Sequence, residues 1–178
     1  MSYITTYTGK HFDPLQPKPE ILDIHDIAHA LSLTCRGNGH VKTFFSVAQH
    51  CINCGLEADA RGYGPKVRLA CLVHDASEAY MSDVPRPFKQ MMPEYKQAEG
   101  NLLEVIYQTF LKEPLTAEEE KLVKEIDDDL LYYDLKELLG ETQNRPAPHL
   151  HITLDYDVKP FHQVEETYLK LYEAWRME

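Results

Sequence analysis

Apolar residues in this chain recur three and four positions apart over most of its length, the spacing that lines one face of an α-helix. Ile24, Ile27, Ala28 and Leu31 begin the pattern behind Asp23, which is suited to cap a helix over 24–35, and Gly37-Asn38-Gly39 ends it. Phe44, Val47, Ala48 and Cys51 form a second stripe over 43–58. Pro65 fits the first position of a helix reaching about Tyr80. Residues 94–112 are amphipathic again. Thr116 and Glu119 make a T-x-x-E capping box for a helix to about Leu139, stopped by Gly140. Val164, Tyr168, Leu171, Tyr172 and Trp175 give the last stripe. The fold class is therefore mainly α, a helical bundle of about six helices. Two β-prone runs around Thr8-Gly9 add a small N-terminal β-hairpin over 3–12. Residues 13–20 and 141–162 hold three prolines each and read as irregular connectors, the second with at most a short strand. A length of 178 residues suits a single domain over 1–178.

Eighteen basic and 29 acidic residues give a formal charge of −11. That balance excludes a broad contact with a nucleic acid polymer, which needs a basic footprint. A small anionic substrate stays open, because a bound metal and a few placed cations reverse the sign locally. No apolar run approaches about 18 residues, so no membrane span is expected. The opening MSYITTYTGKHF has neither a basic nor an apolar leader region, so no signal peptide is expected. The cysteines, Cys35, Cys51, Cys54 and Cys71, are few and lie in apolar segments, which fits a reducing cytoplasm. Cys51-Ile-Asn-Cys54 falls inside an amphipathic helix without a second pair, and reads as core packing rather than a zinc or redox motif.

Chemistry concentrates in His74-Asp75-Ala-Ser-Glu78 and in Ser82-Asp83-Val-Pro-Arg-Pro-Phe-Lys89. On a helix His74 and Glu78 share a face, and they follow the most apolar stretch of the chain, Leu69–Val73. Ionisable groups there cost free energy unless they are paired or bind a metal. The bland alternative is a His–Glu pair capping the core. His50 lies on the core stripe of its own helix, where a lone histidine is ordinarily a packed side chain. In the acid run Asp127-Asp128-Asp129, the neighbours Val123, Leu130 and Leu131 turn Asp127 inward, whereas Asp128 faces water and Asp129 lies at the border. Asp134 is the second choice for an inward carboxylate. Two imidazoles and two carboxylates suit a divalent transition metal with open positions. Adjacent helical residues point about 100° apart, so periodicity does not predict that His74 and Asp75 meet at one ion.

The ordered set His50, His74-Asp75 and Asp127 resembles the HD superfamily of metal-dependent phosphohydrolases. HDASEAYMSDVPRPFK is similar to the HDxSE…GDxPxPxK signature of its 5′-deoxynucleotidase branch, which includes phage-type hydrolases and dATP triphosphohydrolase-like relatives. DIAHALSLTCRGNGHVKTFFSVAQH resembles the phage-type version of the substrate helix and first ligand. Ser82 stands where the pattern has glycine; serine fits most turn positions, so Asp83 keeps its place. The resemblance implies an HD core over about 21–140, followed by a loop and helix over 141–178. It implies that His50, His74, Asp75 and Asp127 hold one divalent metal (manganese, cobalt, zinc or iron), with a second divalent ion arriving on the substrate. Glu78 would orient or deprotonate the attacking water, and Asp83 would assist the leaving group or the water. Arg36 would bind phosphate or the sugar end of the substrate, Lys89 would bind phosphate, and Gly37, Asn38 and His40 would line the base pocket.

Residues 76–126 contain no histidine, so the single-metal type is expected and oxygenase chemistry is not. The expected reaction is hydrolysis of the 5′-phosphoester of a deoxynucleotide. The products are phosphate from a dNMP, or triphosphate from a dNTP such as dATP. The expected enzyme is a homo-oligomer in the cytoplasm of a bacterium or of a phage-infected host. An HD signalling hydrolase acting on cyclic or polyphosphate nucleotides is the second reading, and a non-enzymatic acidic interaction module the third.

Overall fold

A computed structural model describes residues 3–177. Ile4–Thr5 (β1) and His11–Phe12 (β2) pair antiparallel across the turn at Thr8-Gly9, with Ile4 opposite Phe12. The helices are α1 (Ile24–Leu33), α2 (Val47–Ala60), α3 (Pro65–Val73), α4 (Glu78–Met81), α5 (Arg86–Lys89), α6 (Pro93–Leu111), α7 (Ala117–Leu139) and α8 (Phe161–Arg176). A 3₁₀ turn, Arg36–Gly39, follows α1. α4 and α5 are single turns of 4 residues. The others run from 9 to 23 residues, so the chain is mainly helical with a small hairpin, as the periodicity implies. Among the described residues no helix is long and apolar enough to cross a membrane.

Local chemistry sets most helix ends. Asp23 caps α1 by accepting the His25 N–H at 2.9 Å, and Lys10 of the hairpin reaches its other oxygen at 3.0 Å. Asp26 in the next turn accepts the Thr8 N–H and hydroxyl at 2.7 and 3.0 Å, which seats the hairpin on α1. Thr116 and Glu119 form the expected capping box of α7, and Gly140 ends it at φ 70°. α2 begins at Val47 rather than at 43. Ser46 and Gln49 make their own capping box, and a bridge between Cys35 and Ser46 holds the preceding residues extended.

α3 stops at Val73, short of Tyr80. From there Ala76, Glu78 and Tyr80 each donate to the carbonyl three residues back, at 3.0 Å. The coil tightens into a 3₁₀-like turn through His74–Ser77 before α4 resumes.

α2 occupies the centre, packed on α1, α3, α7 and α8. Ile27, Leu31, Ala48, Cys51, Leu72, Leu130 and Tyr168 are among the side chains that fill the core. Gly55 lets α8 approach closely, since a Cβ there would lie 2.7 Å from the Trp175 ring. Residues 141–160 contain no strand. Their main anchor is Glu57 of α2, fully buried, which accepts the N–H groups of His151 and Ile152 at 2.9 and 3.1 Å. The Arg61 guanidinium donates to the same carboxylate at 2.8 Å, and the His151 ring nitrogen Nδ1 lies 3.0 Å from it.

Candidate metal centre

The centre is assembled from α2, the turn after α3, and α7. His50 Nε2 lies 3.1 Å from Asp127 Oδ1. His74 Nε2 lies 3.6 Å from that same oxygen and 3.4 Å from Asp75 Oδ2. The tightened turn thus brings adjacent residues to one point, which an ideal α-helix does not do.

Each imidazole is fixed by its other nitrogen. A carboxylate and a carbonyl only accept, so His50 Nδ1–H donates to Asp134 Oδ2 at 2.8 Å and His74 Nδ1–H donates to the Cys71 carbonyl at 2.7 Å. Both Nε2 atoms therefore face the cluster. A hydrogen bond at the far nitrogen is how a metal-binding histidine is ordinarily held in place.

Three observations test whether these residues fit a cation. His74 Nε2 is buried and has no hydrogen-bond partner among the described residues. The spacings of 3.1, 3.4 and 3.6 Å match ligands of a common ion. Bonds of 2.0–2.2 Å set neighbouring ligand atoms about 3.0 Å apart at right angles and about 3.4 Å apart in a tetrahedron. The charge balance also calls for a cation. Burial works against a proton on either imidazole, and Arg36 further opposes one on His50. Cys54, Asp127 and Asp134 around His50, and Asp75, Cys51, Cys54 and Asp127 around His74, outweigh this and hold both pKa values well above the usual range. Burial would raise Asp127, yet the two imidazoles bring it far below the usual carboxylate range. The residues could hold a metal ion.

Glu78, at the start of α4, is buried, and its Oε2 has no partner among the described residues. Burial first, then Asp75 and Asp83, push its pKa up to about 9. Asp83 is half-buried beyond it.

Between them stands Ser82 at φ 68°, ψ 158°, a conformation suited to glycine. Serine is thus strained here, contrary to the expectation that it fits the turn. Ser82→Gly is expected to stabilise the fold by about 1 kcal/mol in chemical denaturation. An unchanged or lower midpoint would show that the strain is absent.

Arg36 donates to Asp75 at 3.4 Å and to Asp134 at 3.2 Å, so it lies against the centre at the head of the 3₁₀ turn. Gly37, Asn38 and His40 continue that turn on the exposed surface, with Gly37 and Asn38 at φ 58° and 52°. Lys89 is bonded to Glu99 at 2.6 Å, so its ammonium is already partnered, although its charge still reaches Glu78.

The sequence ranks Asp134 second to Asp127, and the structure turns both inward, onto the two ring nitrogens of His50. It missed Tyr156, whose hydroxyl donates to Asp134 Oδ1 at 3.0 Å from the 141–160 segment. No local signal marks a tyrosine in an irregular stretch. It also read Cys54 as packing alone, although Cys54 follows His50 by one turn on the same face and its Sγ is 3.4 Å from Nε2.

No family model matches the chain. Over 110 residues it is 38% identical to the uncharacterized protein YfdR of Escherichia coli K12, covering 62% of this chain and 59% of that protein. Over 86 residues it is 40% identical to an uncharacterized protein of Rhodobacter capsulatus, covering 46% of this chain and 44% of that one. The chain thus spans about half the length of these curated relatives, and it is similar to proteins that are themselves uncharacterized.

Proposed function

We propose that the chain is a metal-dependent phosphohydrolase of the HD type that cleaves the 5′-phosphoester of a deoxynucleotide. One observation carries the reading. Three contacts of 3.1–3.6 Å link two imidazole Nε2 atoms and two carboxylates, beside a buried, unpaired glutamate oxygen and a guanidinium. A purely structural cluster has no need of Glu78, whose burial without a partner costs free energy.

His50, His74, Asp75 and Asp127 hold the ion, which when bound polarises a phosphoryl oxygen and acidifies water. Glu78 orients the attacking water through its unpaired Oε2. Arg36 shares its donors between Asp75 and Asp134 through long hydrogen bonds of 3.4 and 3.2 Å, and turns them to the phosphoryl oxygens. Asp83, beside Glu78, assists the leaving group or holds the water. Lys89 adds positive charge nearby without giving up Glu99. The same residues serve a monophosphate and a triphosphate, and the exposed turn of Gly37, Asn38 and His40 is where the base is read.

The test is a product assay on protein stripped and reloaded with manganese, cobalt or zinc. All dNMPs, NMPs, dNTPs and NTPs are offered, and phosphate is separated from triphosphate. Glu78→Gln is expected to lower kcat by about 10²–10⁴-fold while metal content stays the same. Turnover of cyclic or polyphosphate nucleotides alone would move the function to signalling. No turnover with any metal would end the phosphohydrolase reading.

A further inference from the structure

Cys54 follows His50 by one turn of α2, so the two side chains share a face. Its Sγ lies 3.4 Å from His50 Nε2, the nitrogen that also faces Asp127. That sulfur, a ring nitrogen of His50 and a ring nitrogen of His74 all lie within 4.8 Å of one another. Cys54 and His50 are both buried. The other imidazole of the group, His74, has its Nε2 buried and unpartnered among the described residues.

The spacing matches a shared ion. Bonds of about 2.3 Å to sulfur and about 2.05 Å to nitrogen separate the two atoms by about 3.1 Å at a right angle and about 3.6 Å at the tetrahedral angle. With Nδ1–H bonded to Asp134, His50 Nε2 carries the lone pair that a metal takes up.

We propose that Cys54 is a further ligand of the metal, so that the site is a mixed imidazole, carboxylate and thiolate centre. The inference rests on the metal-centre reading above. As the sulfur–metal bond forms, the thiol S–H bond breaks and its proton passes to solvent. A thiolate brings a soft donor and a negative charge, so the site takes zinc, cobalt or iron(II) in preference to magnesium or manganese.

The full chain, stripped of metal and kept reduced, is titrated with cobalt(II). The expected result is a single retained cobalt and a near-ultraviolet sulfur-to-cobalt charge-transfer band. The band is lost in Cys54→Ser and kept in Cys51→Ser and Cys71→Ser. Cys54→Ser is also expected to cut the preference for zinc over manganese by at least about 10-fold. Stoichiometric cobalt without the band in the unsubstituted protein overturns the thiolate ligand and leaves the imidazole–carboxylate centre standing. A band that survives Cys54→Ser and vanishes in Cys51→Ser overturns it equally. Cobalt that is not retained at all overturns the metal centre, and the proposal with it. The unsubstituted spectrum decides the main question, so a poorly folding variant does not.

Discussion

Replacing Asp127 by alanine is expected to abolish metal retention and phosphoester hydrolysis together, with activity falling by at least about 10³-fold. One oxygen of Asp127 faces both imidazoles, at 3.1 and 3.6 Å, so its loss opens the centre on the α7 side. The helix itself should survive. Its caps are at Thr116 and Gly140, and Ile126 and Leu130 keep it in the core. The Asp127 side chain is 28% exposed, which leaves little cavity behind. Asp134→Asn makes the graded control. It weakens the hydrogen bond that orients His50, and such changes cost about 10–100-fold in metal affinity. Metal content by elemental analysis, read beside far-ultraviolet circular dichroism, separates lost ligation from lost folding. An Asp127→Ala protein that keeps both its metal and its rate would remove Asp127 from the centre.

Glu57→Ala is expected to have the largest effect on stability, about 3–5 kcal/mol. The carboxylate is fully buried and satisfies two backbone N–H groups, the His151 ring and Arg61. Removing it leaves the 151–152 donors unpaired, although Arg61 keeps Asp129 at 2.9 Å. At about 2–4 °C per kcal/mol, Tm should fall by roughly 6–20 °C. The effect should also depend on pH. Burial works to raise the Glu57 pKa, but Arg61, His151 and the Ile152 N–H outweigh it and bring it below the usual value. A depressed folded pKa means that the contribution is complete above the unfolded carboxylate pKa and fades as pH falls through the folded one. The difference in Tm between wild type and Glu57→Gln should therefore narrow in acid. A gap that holds constant from neutral pH into that range would show that the carboxylate charge is not what ties the segment down.

What could be read in the sequence was local. The Thr116–Glu119 box, Gly140, the hairpin at Thr8-Gly9 and the stripe from Val164 to Trp175 each have a short-range cause, and the structure contains all of them. The inward turn of Asp127 followed from its apolar helical neighbours. Three things could not be read that way. The break after Val73 depends on hydrogen bonds that span three residues instead of four. The Glu57–His151 anchor joins residues 94 apart, beyond any periodic signal. The pairing of Lys89 with Glu99 depends on how α5 packs against α6, so a lysine in a phosphate-binding pattern gave no hint of its partner. The 43–46 segment was misjudged for a different reason. Phe44 extended a helical stripe that the Ser46–Gln49 box had already closed off.

The chain has 1 tryptophan, Trp175, and its ring rests against Gly55, the residue that follows the His50–Cys54 span on α2. Its position makes intrinsic fluorescence a single-site optical probe. Emission should report the docking of α8 onto the helix that carries the first histidine and the buried thiol, with no label added. Undocking should shift it to the red before the rest of the helical signal is lost. A titration followed at that one wavelength would then show whether the C-terminal helix and the centre beneath it open as one cooperative unit.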